Sequence, residues 1–180
     1  MTAPLLAKIT NFLVEHDLAV LRFNFRGVKD STGDWDRGHG EVNDVAAAVS
    51  VAQRTYSDLP LNVVGWSFGA VVSLKWTIRD RTRIPWVGIA PPIGRFGSVR
   101  VPMPKDLPLT KRTFIVGTRD QFITVKEIEA YAAAAKSTVH VIKGSDHFFH
   151  FREKRLTEII LDSICPACSQ HGERTSGFSS

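Results

Sequence analysis

No apolar run in this 180-residue chain reaches the length needed to span a membrane. The N-terminus also lacks the layout of a secretory signal peptide, because Lys8 and Glu15 interrupt its apolar pattern. From these two absences we expect a cytoplasmic protein without a membrane partner.

Cysteine is scarce, since only Cys165 and Cys168 are present, as a C-x-x-C pair near the C-terminus. Such a pair is typical of a redox site or of half a zinc site. No second C-x-x-C pair follows to complete a zinc site, although His171 lies nearby. We interpret the pair as two thiols on a frayed tail, and we expect neither a metal nor an organic cofactor.

Neither sign of charge is in large excess. The 23 Lys and Arg residues against 18 Asp and Glu residues give a formal net charge of +5. This charge permits an anionic substrate without arguing for one. The basic residues form no platform with aromatic residues, so no nucleic-acid partner is expected. The length predicts one domain over residues 1–164, followed by a polar, disordered tail over residues 165–180.

Apolar patterns of strand type alternate with patterns of helical type through the chain. This alternation predicts a mostly parallel sheet with helices on both faces, a three-layer α/β/α fold. The predicted strands cover residues 18–25, 61–65, 85–90, 113–117 and 138–142. The predicted helices cover residues 4–16, 42–56, 68–78 and 125–135, and a last helix carries Leu156, Ile159, Ile160 and Ile164. Residues 91–108 contain five prolines and are predicted to be irregular.

Residues 65–69, Gly-Trp-Ser-Phe-Gly, fit the G-x-S-x-G pattern of a nucleophile elbow between a strand and a helix. An attacking serine must stand clear of the backbone on a tight, strained turn, which makes Ser67 the candidate nucleophile. The positions of Gly65 and Gly69 are predicted to require small residues, because strand and helix approach closely there. The N–H of Phe68 is the candidate oxyanion donor, at the positive end of the following helix.

Two further candidate residues follow predicted strands at the same edge of the sheet as Ser67. Asp120 follows the strand that ends near residue 117, and His147 follows the strand that ends near residue 142. Parallel sheets bind ligands at this edge, and the order Ser, Asp, His is that of the α/β-hydrolases. His147 would be the base that takes the proton of Ser67, and Asp120 would orient His147.

Each candidate has an alternative interpretation. Ser67 could instead be a helix cap, and Asp120 a turn or cap residue. His150 competes with His147, and Asp106 is the alternative acid, whereas Asp146 is interpreted as a helix cap.

Other aromatic and histidine side chains also have two interpretations each. Trp35, Trp66 and Phe68 could line an acyl pocket or pack in the core. His39 could reach the mouth of the site, but a histidine between two glycines is more typical of an exposed loop.

The motifs of this chain resemble those of the α/β-hydrolase superfamily, and within it the small hydrolases without a lid domain that are related to dienelactone hydrolase. The motifs concerned are Arg22-Phe23-Asn24-Phe25-Arg26-Gly27 with Ser31 and Gly33, Gly38-His39-Gly40-Glu41 with Asp44, the elbow, Gly117-Thr118-Arg119-Asp120 and Gly144-Ser145-Asp146-His147-Phe148-Phe149. The resemblance implies a Ser67–Asp120–His147 triad. It also implies hydrolysis of an ester, thioester or amide of a small substrate through an acyl-enzyme. The alternative is a catalytically weak or inactive binding protein that retains the fold.

The resemblance also implies a strand, and a loop rich in His, Pro and Gly, before the first helix. That strand would lie between those at residues 18–25 and 61–65, and the loop would supply a second oxyanion donor. The sequence begins at Met1, essentially inside the first helix, so Phe68 is the one assignable donor. Three explanations would account for this. The start of the protein is assigned too late, the protein is a truncated relative, or another chain supplies the strand. We expect the first.

Overall fold

A computed structural model of the chain describes residues 3–93 and 99–169. Its sheet consists of four strands, which are β1 (Val63–Trp66), β2 (Trp86–Ile89), β3 (Arg112–Gly117) and β4 (Thr138–Ile142). The strands lie side by side in chain order and all run parallel. Every residue of β2 and β3 is buried, as expected for central strands that are covered on both faces.

Helices connect and cover these strands. They are α1 (Pro4–Glu15), α2 (Glu41–Thr55), α3 (Phe68–Arg79), α4 (Val125–Ala134), α5 (Glu153–Ile164) and the short α6 (Pro166–Ser169). Because crossovers between parallel strands are right-handed, α3, between β1 and β2, is expected on the same face as α4, between β3 and β4. α2 packs against α3, whereas α1 packs against α5, which in turn contacts β2 and β4. The predicted three-layer α/β/α fold is therefore confirmed.

The apolar stripes of the helices face the sheet. α1 buries Leu5, Ile9 and Leu13, and α5 buries Leu156 and Ile160, at spacings that return to one side of a helix. None of the helices in the described ranges is both long enough and apolar enough to cross a bilayer.

The predicted strand over residues 18–25 is wrong. The segment forms no regular secondary structure, and within the described residues it pairs with no strand of the sheet. Leu18 and Val20 pack against the core, whereas Leu21 and Phe23 are exposed. An alternating apolar pattern favours an extended backbone, but a strand also needs a neighbouring ladder, which local sequence does not provide.

Two predictions concern irregular segments. The disordered tail is wrong for residues 165–169, because α6 packs against α5. Cys165 and Cys168 are joined by a disulfide and are not two thiols. The rest of the tail, with His171, lies outside the described residues. The proline-rich connection is irregular apart from one 3-10 turn at Pro104–Asp106, and its residues 94–98 also lie outside the described part.

Candidate active site

Ser67 forms the sharp turn between β1 and α3. Its φ of 51° and ψ of −119° are values that residues other than glycine rarely adopt, so the backbone is strained here. The N–H of Ser67 donates to the carbonyl oxygen of Ile89 at the end of β2, at 2.8 Å, which fixes the turn to the sheet. The hydroxyl makes no hydrogen bond that caps α3, and it is therefore available to another partner.

The two glycines of the elbow are under different steric demands. A Cβ at Gly65 would lie 2.6 Å from the Cα of Ala70, so the contact between β1 and α3 requires glycine there. A Cβ at Gly69 would meet only the ring of Phe25, at 3.8 Å, which is an ordinary contact. The prediction that both positions must be small is confirmed at Gly65, whereas the space at Gly69 would also accept a Cβ.

Asp120 lies in the turn that follows β3, with its carboxylate fully buried. One oxygen, Oδ1, accepts hydrogen bonds from the backbone N–H groups of Phe122, at 2.9 Å, and Ile123, at 3.1 Å. These bonds fix the carboxylate so that the other oxygen, Oδ2, faces His147.

His147 follows β4 and joins the other two candidate residues. Its Nδ1 lies 2.8 Å from Asp120 Oδ2, and its Nε2 lies 3.0 Å from Ser67 Oγ. Because a carboxylate only accepts hydrogen bonds, Nδ1 donates to Asp120 and the lone pair of Nε2 faces the Ser67 hydroxyl. The arrangement is therefore able to take a proton from Ser67 Oγ.

Three hydrogen bonds connect the loops that carry these residues. The indole Nε1–H of Trp66 donates to the carbonyl oxygen of His147, at 3.1 Å. The N–H of His147 donates to Gln121 Oε1, at 3.3 Å, and the N–H of Arg119 donates to the carbonyl oxygen of Ser145, at 2.8 Å. None of these contacts was predicted, because each joins residues that are distant in sequence.

Phe68 is the first residue of α3, where helical N–H groups have no partner within the helix. Across residues 3–93 and 99–169, no hydrogen bond from the N–H of Phe68 is formed. The group lies at the positive end of the α3 dipole, next to Ser67. It is therefore positioned to donate to a negatively charged oxygen on a bound substrate.

The alternative candidate residues make other hydrogen bonds or are exposed. His150 is exposed, and its Nδ1 lies 2.8 Å from Asp146 Oδ2. The other oxygen of Asp146 accepts from the N–H groups of Phe148 and His150, so this carboxylate shapes the turn after His147. Asp106 lies in the exposed 3-10 turn, and His39 is exposed in its loop.

A cavity of about 340 Å³ opens over Ser67 and His147, and its walls are mainly aromatic. The other lining residues are Trp66, Phe68, Phe122 and Phe148. Trp66 and Phe68 were among the predicted pocket residues, whereas Trp35 is not part of the lining and is 58% exposed. Phe122 and Phe148 were missed, although each follows a candidate residue at the same sheet edge by one or two positions.

A charged network supports the loop between residues 26 and 40. The guanidinium and backbone N–H of Arg26 donate to the carboxylate of Asp44 on α2, and these bonds lower the pKa of Asp44. Phe25, next to Arg26, packs edge-on against the ring of Phe68, at 5.5 Å between ring centres. Phe25, which leads into this loop, therefore packs against a residue of the cavity wall.

Metal ligands are not clustered in the part of the chain that the structure describes, where no three His, Cys, Asp or Glu side chains are placed to hold an ion. The chemistry that the site can support is the proton transfer between Ser67 and His147 described above.

Comparison with known families gives one match over nearly the whole chain. The sequence model of the family described as "Alpha/beta hydrolase domain" matches residues 1–171. A curated relative, the uncharacterized protein RP471 of Rickettsia prowazekii (strain Madrid E), is 29% identical over 159 residues, which cover 84% of this chain and 67% of the relative.

Solved structures show the same architecture. An alpha-beta serine hydrolase homologue from Coxiella burnetii is 27% identical, with a TM-score of 0.77 over 92% of this chain and 78% of the homologue. XC6422 from Xanthomonas campestris, described as an a/b serine hydrolase without lid, is 26% identical, with a TM-score of 0.76 over 91% of this chain and 73% of its own.

Proposed function

We propose that this chain, which belongs to the alpha/beta hydrolase family, is a serine hydrolase that cleaves an ester, thioester or amide of a small substrate through an acyl-enzyme on Ser67. The family and the similarity to two serine hydrolases support hydrolase activity in general. The observation that carries the finer proposal is the continuous set of hydrogen bonds from Ser67 Oγ through His147 to Asp120.

In the proposed first step, Ser67 Oγ attacks the carbonyl carbon of the substrate while its proton moves to His147 Nε2. The new carbon–oxygen bond forms as the carbonyl electron pair moves onto oxygen. The tetrahedral intermediate then collapses, its bond to the leaving group breaks, and the proton on Nε2 passes to the leaving oxygen, sulfur or nitrogen. Asp120 stabilises the imidazolium form of His147 between these two transfers.

Water completes the proposed cycle on the acyl-enzyme. It gives a proton to His147 Nε2 as its oxygen bonds to the acyl carbon. Ser67 Oγ then leaves and takes that proton back, which releases the acid. In both halves of the cycle the negative charge on the substrate oxygen would be stabilised by the N–H of Phe68 at the start of α3.

Steady-state hydrolysis of 4-nitrophenyl acetate and butyrate tests this proposal. We expect Ser67→Ala and His147→Gln to lose at least roughly 10⁴-fold in kcat, and Asp120→Asn about 10³- to 10⁴-fold. His150→Gln and Ser57→Ala, which change an exposed histidine and an exposed serine, are the matched controls and should retain the original rates. Wild-type activity in Ser67→Ala would refute the proposal.

A further inference from the structure

The cavity above Ser67 has a composition that the proposed mechanism does not require. Of the six described residues that line it, four are Trp or Phe, and the other two are Ser67 and His147. We infer that this cavity binds an uncharged, planar aromatic group of the substrate, next to the scissile bond. The inference rests on the proposed function, which it extends by naming the substrate class.

The rings surround the imidazole on several sides. The ring centre of His147 lies 4.8 Å from that of Phe122, 5.5 Å from that of Phe148 and 5.8 Å from that of Trp66. The two phenylalanine rings stand nearly perpendicular to the imidazole, at 83° and 85°. A flat aromatic group that enters over Ser67 would therefore find aromatic rings already packed around the imidazole, with which it could form further aromatic pairs.

Two of the rings are also accessible to a ligand. Phe122 is 48% exposed and Phe148 is 40% exposed, and both line the cavity. A bound aromatic group that contacts these rings would remove apolar surface from water.

The charges around the cavity argue against an ionic group. Among the described residues that line it, none is Asp, Glu, Lys or Arg, and the carboxylate of Asp120 is fully buried behind His147. An anionic group would lose its hydration without gaining a partner. A cation could bind to the faces of the rings, but it would have no carboxylate to balance its charge. A neutral aromatic group neither loses the hydration of a charge nor needs an opposite charge.

The size of the cavity is compatible with such a group. Its volume of about 340 Å³ lies at the lower end of the range of about 300–1,000 Å³ that is typical of small-molecule sites. One aromatic ring with its ester group is small enough for this volume.

Four acetate esters test the inference, with acid release as the measurement. Benzyl acetate and cyclohexylmethyl acetate differ in planarity but have leaving groups of similar basicity. The 4-carboxylate and 4-trimethylammonio derivatives of benzyl acetate add one negative or one positive charge. We expect kcat/KM for benzyl acetate to exceed that for each of the other three esters. Equal values for benzyl and cyclohexylmethyl acetate, or a preference for either charged ester, would overturn the inference.

Substitutions at Phe122 and Phe148 test whether these two exposed rings cause the preference for the aromatic ester. Phe122→Leu and Phe148→Leu keep an apolar side chain but remove the ring, so each should reduce the preference for benzyl over cyclohexylmethyl acetate roughly two- to ten-fold. Phe151→Leu is the matched control, because Phe151 is 90% exposed and does not line the cavity. An unchanged preference in both Phe122→Leu and Phe148→Leu would contradict the assignment.

A binding experiment separates this inference from the proposed function. Ser67→Ala is titrated by calorimetry with N-benzylacetamide and with N-(cyclohexylmethyl)acetamide, so that no turnover is needed. Tighter binding of the benzyl compound supports the aromatic site even if the wild-type protein hydrolyses no ester. Equal or weaker binding overturns the inference even if Ser67 is catalytic.

Discussion

Trp66 connects the strand that leads to Ser67 with the loop that carries His147. Its indole N–H donates to the carbonyl oxygen of His147, 81 residues further along the chain. The N–H of His147 is held by Gln121 on the other side. The backbone of His147 is therefore fixed from two directions while its imidazole lies between Ser67 and Asp120.

Removal of the indole N–H of Trp66 should lower the rate of the reaction more than it weakens the binding of substrate. Trp66→Phe keeps an aromatic ring in the cavity but loses the donor to His147. A hydrogen bond of this kind contributes about 0.5–1.5 kcal/mol, so we expect kcat to fall roughly two- to ten-fold while KM changes little. Steady-state hydrolysis of a 4-nitrophenyl ester provides the measurement.

The control for this variant is Trp35→Phe, at a tryptophan that is exposed and outside the cavity. If Trp66→Phe and Trp35→Phe have the same kcat, the hydrogen bond to His147 does not position the imidazole.

The N-terminus of α2 contains a buried carboxylate that organises the loop before it. Glu41 is 0% exposed, and it accepts hydrogen bonds from the N–H groups of Asp36, at 2.7 Å, and Gly38, at 2.8 Å. Lys75 on α3 donates to the carbonyl oxygen of Gly38, and burial lowers the pKa of Lys75 while the nearby charge of Glu41 opposes that lowering. Glu41 thus fastens the loop to α2, and Lys75 fastens it to α3.

Loss of this carboxylate should destabilise the fold. Glu41→Gln keeps the size of the side chain but replaces one accepting oxygen with an amide that cannot accept. Hydrogen bonds to charged groups contribute about 1.5–3 kcal/mol, and we expect a loss of about this size in the free energy of unfolding. Urea denaturation measures it, with Glu129→Gln at an exposed position of α4 as the control. A change within about 0.5 kcal/mol of the control would contradict this role.

Local sequence predicted where helices and strands begin and end better than it predicted which segments pair as strands. The start of α4 was predicted from Thr124 and Glu127, and the structure contains the reciprocal bonds of that capping box. The segment at residues 18–25 has an equally clear apolar pattern, yet it forms no strand. A cap needs only residues three positions apart, whereas a strand needs a partner from elsewhere in the chain.

At the scale of the whole molecule, the same distinction applies to the candidate site. Ser67, Asp120 and His147 could be predicted together because parallel strands end at one edge of a sheet. The aromatic walls and the bond from Trp66 to His147 could not, since they depend on side-chain directions that are set by packing between distant segments. The burial of the Glu41 side chain was likewise not predicted from the sequence.

Arg26 and Asp44 form an ion pair that joins the segment near residue 25 to α2. Because of this ion pair, the free energy of unfolding should depend on pH. Hydrogen bonds from Arg26 lower the pKa of Asp44 in the folded state. The stabilisation is therefore complete above the ordinary pKa of an aspartate, about 3.9, and it is lost as the pH falls through the lower folded-state value.

Asp44→Asn removes this dependence. We expect it to be less stable than the wild type at pH 7, and the difference in free energy of unfolding to shrink progressively below about pH 4. Urea titrations at pH 7, 5, 4 and 3 give the comparison, with Asp30→Asn at an exposed loop position as the control. A difference that stays constant down to pH 3 would show that the charge of Asp44 is not the cause.

The most direct test of the account is whether Ser67 reacts as an activated nucleophile. The folded protein is treated with a fluorophosphonate, and the adduct is located by mass spectrometry of the intact chain and of its peptides. We predict one adduct, on Ser67, that is absent from Ser67→Ala and that forms far more slowly in His147→Gln. Equal labelling of Ser67→Ala, or no labelling of the folded wild-type protein, would contradict the account.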